Sequence, residues 1–445
     1  MYDFPKGLFT DVRIENRVFV SYYVKNGDVM GDSRVEEAGA KIRVYDGNMW
    51  YTATTNDIAN IQNEIDSLAV LATPDEKIYE NPVVKNFGSY ADDVRKYDGD
   101  CDNRKIERDK YVKLVEDYIA NCNDTSIEEV KSFSASYNSH HVEKEYYSSK
   151  GADIKQDMQM CSLYMNFEIV VDGITTIAYK YLRSQFFEKL AGRYDEVIAA
   201  RERYYDYAKN AVDVEPGDYV CVLTPIVTAM FTHESFGHKS EADFMLNDKS
   251  LRDEWVIGKK VGNEKVSICD RGDMDNNGYT PYDDEGNKAH ETWLIKNGVL
   301  TGRLHDSKSA AALGEEITGN SRAQSIYHSP IVRMTNTFME KGDVSPEDMI
   351  RDVKDGMYIY DVNYGTGMST FTMQPNLCYR IRDGKLCEPV RVNVLTGSVF
   401  KTLFDIDAVG NDFVLFDTFT CGKGGQSAPV SCGGPTIRVK SLTVN

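Results

Sequence analysis

Residues 184–217 read SQFFEKLAGRYDEVIAARERYYDYAKNAVDVEPG. After Gly192 the stretch is charged and free of Gly and Pro until Pro216-Gly217. Such a run predicts helix over most of 184–212, and the Pro-Gly pair stops it. The two sides of this break differ. Upstream, strand patterns alternate with helical ones. Downstream, as far as Asn445, the chain is short strands and turns. The reading is an α+β protein. A mixed N-terminal domain over 1–213 ends in the long helix, and a mostly antiparallel β C-terminal domain covers 214–445. A chain of 445 residues is long enough for two such domains.

Upstream, Asp11–Glu15 and Val18–Tyr22 alternate as strands do, and Asn26-Gly27-Asp28 is a turn signal. Ala40–Tyr45, Asp46-Gly47 and Met49–Thr52 read as strand, hairpin turn, strand. Ile58, Ile61, Ile65 and Leu68 have helical spacing after a polar start. Arg104–Ala120 reads as a second helix, and strands return at Val130–Ser136 and Leu163–Val171. Downstream strand candidates include Tyr219–Leu223, Val266–Cys269, Trp293–Ile295, Gly356–Val362 and Cys378–Asp383.

The net charge is −19. That field repels a phosphate backbone and argues against nucleic-acid binding. No apolar run approaches the roughly 20 residues of a membrane helix, and the first residues lack a signal-peptide segment. The nine cysteines are odd in number and dispersed, without Cys-x-x-Cys, so a reducing, cytoplasmic setting is expected.

Chemistry concentrates in Thr232-His233-Glu234-Ser235-Phe236-Gly237-His238. Zinc peptidases commonly space two histidines four apart on one helix face. Here they are five apart, about 500° on a regular helix, which aims them roughly 140° away from each other. They meet at one metal only if the helix is bulged or broken, and Gly237 is the residue expected to permit that. Otherwise they are two unrelated histidines at a helix end. A catalytic zinc needs a third protein ligand. His290, His305, His328, Glu241, Asp243 and Cys421 are the choices, and Cys421 lies among glycines beside Lys423.

The ordered set of motifs resembles the TldD/PmbA family, once described as modulators of DNA gyrase. His233-Glu234-x-x-x-His238-x-x-Glu241 is similar to its signature. Pro281–Gly286, Leu294–Gly302, Thr318-Gly319-Asn320, Arg333–Thr337 and Cys421–Gln426 follow in the family's order. Gly39–Val44 with Asp46-Gly47 resembles its early hairpin. The resemblance implies a zinc-dependent metallopeptidase of the TldD-like branch. His233, His238 and Cys421 would be the metal ligands and Glu234 the catalytic base. It also implies unfolded peptide as substrate, and a homodimer or a heterodimer with a related, metal-free subunit. Members open with a helix before the first strand. This chain is expected to reach its first strand by about Asp11, so that helix is absent or supplied otherwise, and its dimer contacts need not match the family's. The competing expectation is a non-catalytic peptide-binding or regulatory subunit.

Two other patterns carry less. Asp273–Asp284 nearly fits a calcium loop, but it has Asp where Glu is expected and a strand-like flank, so an Asx-rich turn is expected. His140-His141 with Glu143 reads as a solvated polar stretch.

Overall fold

The computed structural model describes residues 2–445. The chain forms two compact units. One runs to Lys209 and includes Gln324–Ser329; the other comprises Asn210–Ala323 and Pro330–Asn445.

In the first unit, the strands are β1 (Phe9–Lys25), β2 (Asp28–Tyr45), β3 (Trp50–Thr55), β4 (Ala91–Asp93), β5 (Val130–Ser148), β6 (Asp153–Val171) and β7 (Ile174–Ser184). They form one sheet in the order β3-β2-β1-β5-β6-β4, with β7 also on β6. The two expected strands at 11–22 are one long strand. Asn26 and Gly27 have φ of 51° and 91°, so Lys25 pairs directly with Asp28 in a tight hairpin. Asp172-Gly173 has the same left-handed pair, 51° and 80°, and turns β6 into β7. Sequence reading passed over this signal and so missed β7.

Helix α1 (Ile61–Leu71) buries Ile61, Ile65 and Leu68 against Val12, Ile42 and Val44. Full burial of each such side chain contributes about 1.5–3 kcal/mol before the entropy of ordering is counted. Helix α2 (Arg108–Cys122) stacks Tyr111 on Tyr137 of β5, centroids 5.2 Å apart.

The helix expected over 184–212 is shorter. It is α3 (Tyr194–Asn210). Ser184 still belongs to β7, and Gly192 at φ 72° sets off the segment before the helix. Val212-Asp213 pairs as a short strand with Val390-Arg391. Strand pairing overrode the absence of breakers. His141 corrects another expectation: it lies on β5, 1% exposed, with Nδ1 3.1 Å from Gln159 Oε1. The stretch is part of a sheet, with His141 buried and His140 and Glu143 half-buried, and not a solvated segment.

The second unit opens with β8 (Gly217–Leu223) and α4 (Pro225–Thr232). Pro225 sits at the first helical turn, where its missing N–H costs nothing. Val227, Ala229 and Phe231 are fully buried. Further strands are β9 (Ile268–Arg271), β10 (Glu291–Lys296), β11 (Val299–Leu300), β12 (Asn336–Met339), β13 (Asp355–Gly367), β14 (Thr370–Arg382), β15 (Val414–Lys423), β16 (Gln426–Gly434) and β17 (Ile437–Val444). One sheet has the order β11-β10-β9-β12-β16-β15. In another, β8 lies between β13, parallel, and β17, antiparallel. Helix α4 packs against both β13 and β16. Its C-terminal end therefore lies close to strands from two sheets.

Candidate metal centre

Helix α4 does not end in a regular turn. His233–Gly237 forms a π turn, in which the His238 N–H bonds to the His233 carbonyl five residues back. A π turn winds less per residue than an α turn, so residues five apart come onto one face. The rings of His233 and His238 accordingly lie 5.0 Å apart. The spacing that looks wrong for a zinc helix is right for this one.

Gly237 acts differently from expectation. Its φ and ψ are −54° and −59°, ordinary right-handed values that any residue adopts. What requires glycine is space: a Cβ there would lie 1.9 Å from the Met334 sulfur. Gly367 of β13 is similarly close, its would-be Cβ 3.0 Å from the Glu234 carbonyl oxygen.

Cys421, on β15, joins the histidines. One donor atom from each of His233, His238 and Cys421 lies within 4.8 Å of the others. Cys421 Sγ stands 3.3 Å from His238 Nε2. Two imidazoles and a thiol, converging and largely buried, fit the donor set of a zinc site with three protein ligands.

Each imidazole also has a partner on its far nitrogen. His238 Nδ1 is 2.9 Å from Glu241 Oε2, and Glu241 is fully buried. His233 Nδ1 is 3.1 Å from the buried Cys432 Sγ. With Nδ1 protonated, His233 presents its Nε2 lone pair, and His238 would do so once a metal displaced its Nε2 proton. Burial keeps His233 neutral, with His238 and Arg333 adding to the effect; neutral imidazole is the form that binds metal. Burial lowers His238 as well, but contact with Cys421 and Glu241 outweighs it and raises this imidazole to about 10. Burial pushes the Cys432 thiol well up, so it remains uncharged.

Glu234 points into a cleft of about 520 Å³, lined also by His238, Thr366, Met368, Gly422 and Gly424. Burial raises its carboxyl above the usual range, with His238 pulling the other way. A carboxylate so placed is shielded from bulk water but open to a substrate.

The remaining candidates have other work. His290 is exposed. His305 is held by Ser309 and Glu315, and His328 by Ser325. Asp243 pairs with Lys423 at 2.7 Å. Asp283 accepts the backbone N–H groups of Glu285, Asn287 and Ser321. Asp284 accepts from Ala323, and Glu285 from Ser307. These three acids are thus framework of a buried turn. Sequence reasoning missed Cys432. No local signal marks it, because the His233 it contacts lies 199 positions away in the chain.

Comparison with known proteins agrees with this arrangement. The PmbA/TldA metallopeptidase C-terminal domain matches residues 216–445, and domain 1 of the same family matches 10–72. A metalloprotease of Methanocaldococcus jannaschii is 30% identical over 441 residues, 97% of this chain and 96% of the relative. A protein named zinc metalloprotease TldD homolog, from Saccharolobus solfataricus, is 31% identical over 443 residues, covering 98% and 96%. Among solved structures, TldE from Thermococcus kodakarensis superposes with a TM-score of 0.74 at 16% identity, covering 98% of this chain and 96% of that one. That likeness is one of fold. By family match and full-length relatives together, the chain belongs to the TldD/PmbA family of metallopeptidases.

Proposed function

We propose that the chain is a zinc-dependent peptidase acting on unfolded or extended peptides. The observation that carries this reading is the convergence of His233, His238 and Cys421 beside a cleft that Glu234 enters. The two histidines and the cysteine would hold the zinc. Bound there, zinc would supply Lewis acidity, activating water and polarising a peptide carbonyl. Glu234 takes the proton of the attacking water and passes it to the leaving amine. Its raised carboxyl pKa suits a group that must both accept and return a proton.

The substrate reading rests on the cleft walls. Thr366 and Gly367 end one strand, Gly422 lies near the end of β15, and Gly424 is in the β15–β16 turn. Backbone at both walls suits an extended peptide held by strand-like hydrogen bonds, read with loose side-chain preference. The charge of −19 favours basic or neutral peptides at low salt. A dimer, with itself or with a related subunit, and a cytoplasmic setting complete the proposal. The first is what membership of the family suggests, and the second is supported by nine free cysteines.

The test is metal analysis of protein purified without added metal, followed by a panel of fluorogenic peptides and one folded protein. Zinc near one per chain with cleavage of peptides but not the folded protein is expected. Bound zinc with no cleavage of any peptide would move the assignment to a non-catalytic partner subunit.

A further inference from the structure

Cys421 and Lys423 are two apart on β15, so their side chains leave the same face of the strand. Cys421 Sγ lies 3.3 Å from Nε2 of His238. Lys423 Nζ lies 3.3 Å from Oε2 of Glu241, and that same oxygen stands 2.9 Å from Nδ1 of His238. The four side chains and the intervening Gly422 close a ring. The thiol meets one nitrogen of the imidazole, and the ammonium meets the carboxylate that holds the other.

Lys423 lines the cleft, which suggests at first a cation for a substrate carboxylate. Its partners argue otherwise. Nζ donates to Asp243 Oδ1 at 2.7 Å, Asp243 Oδ2 at 2.8 Å and the Val332 carbonyl at 2.8 Å, and its contact with Glu241 is an ion pair. An ammonium has three protons, and these oxygens use them. The side chain is 8% exposed. Removing the charge would leave Glu241 and Asp243 as neighbouring carboxylates without their cation, and the acceptor of His238 Nδ1 would lose its anchor.

We infer that Lys423 is a positioning residue, tying the strand of Cys421 to the carboxylate that orients His238, so that one ammonium holds two of the three metal donors in register. This rests on the metal-site reading proposed above. Partners of ligating histidines typically change metal affinity 10–100-fold when lost.

Cobalt(II) is the probe, because its visible bands report geometry and thiolate ligation without requiring turnover. The wild-type chain, K423M, K423R and K423M/D243N are titrated with cobalt, and folding is followed by circular dichroism. The double variant removes the stranded carboxylate, which guards against simple unfolding. K423M and K423M/D243N should bind cobalt about 10–100-fold more weakly, with a reduced thiolate-to-cobalt band. K423R should recover part of both, since it keeps the charge but not the compact shape. Wild-type affinity and spectrum in folded K423M/D243N would overturn the inference. A wild-type chain that binds cobalt or zinc but cleaves nothing would remove the peptidase reading and leave the positioning role standing. A wild-type chain that takes up neither metal would overturn both.

Discussion

Cys432 Sγ stands 3.1 Å from Nδ1 of His233, and both residues are buried. This contact fixes the ring of His233 as Glu241 fixes that of His238. Cys432→Ala should therefore weaken zinc binding by about 10–100-fold. Cys432→Ser, which restores a hydrogen-bonding atom, should recover much of it. Competition with a chromophoric chelator measures both, and equal affinity in C432A and wild type would show that the thiol only fills space.

Ligand and base separate by their phenotypes. Glu234→Gln should retain zinc while peptide cleavage drops by about 10²–10⁴-fold, because an amide cannot accept the water proton. His233→Ala and Cys421→Ser should lose zinc and activity together. Wild-type turnover by the Gln variant would remove Glu234 from the mechanism.

Gly237→Ala adds a methyl group where Met334 already lies, and should cost about 1–3 kcal/mol by overpacking. Met334→Ala in the same chain should return part of that loss, giving a coupling that denaturant melts can resolve. Additive effects would mean that conformational freedom, not space, is the reason for glycine.

The histidines of β5, His141 buried and His140 half-buried, make stability pH-dependent. Burial lowers His140 to about 4, helped by Arg183, Arg17 and His141, and burial lowers His141 too. In the unfolded chain these imidazoles titrate near ~6.5. Protonation thus favours unfolding. The stabilising contribution is complete above ~6.5 and is lost progressively as pH falls towards about 4. Urea midpoints measured across that window should fall, and the fall should be smaller in H140Q/H141Q. An identical slope in the variant would place the acid sensitivity elsewhere.

The sequence by itself determined the α+β class, the turn at Asn26-Gly27, the helix at Ile61–Leu71 and the family. Each is written in residues close together in the chain: a left-handed turn pair, an apolar spacing, an ordered string of motifs. It also named His233, Glu234, His238 and Cys421. Only the tertiary structure decided how five-residue spacing brings two histidines together, because the π turn packs against β13 and Met334, which are distant in sequence. The same holds for the end of α3. Breaker-free residues permit helix to continue past Asn210, but pairing of Val212-Asp213 with Val390-Arg391 claims them as strand. Cys432 and Lys423 became meaningful for the same physical reason. Hydrogen bonds and packing act through space, and the residues that complete this site lie about 180–200 positions from the histidines they support.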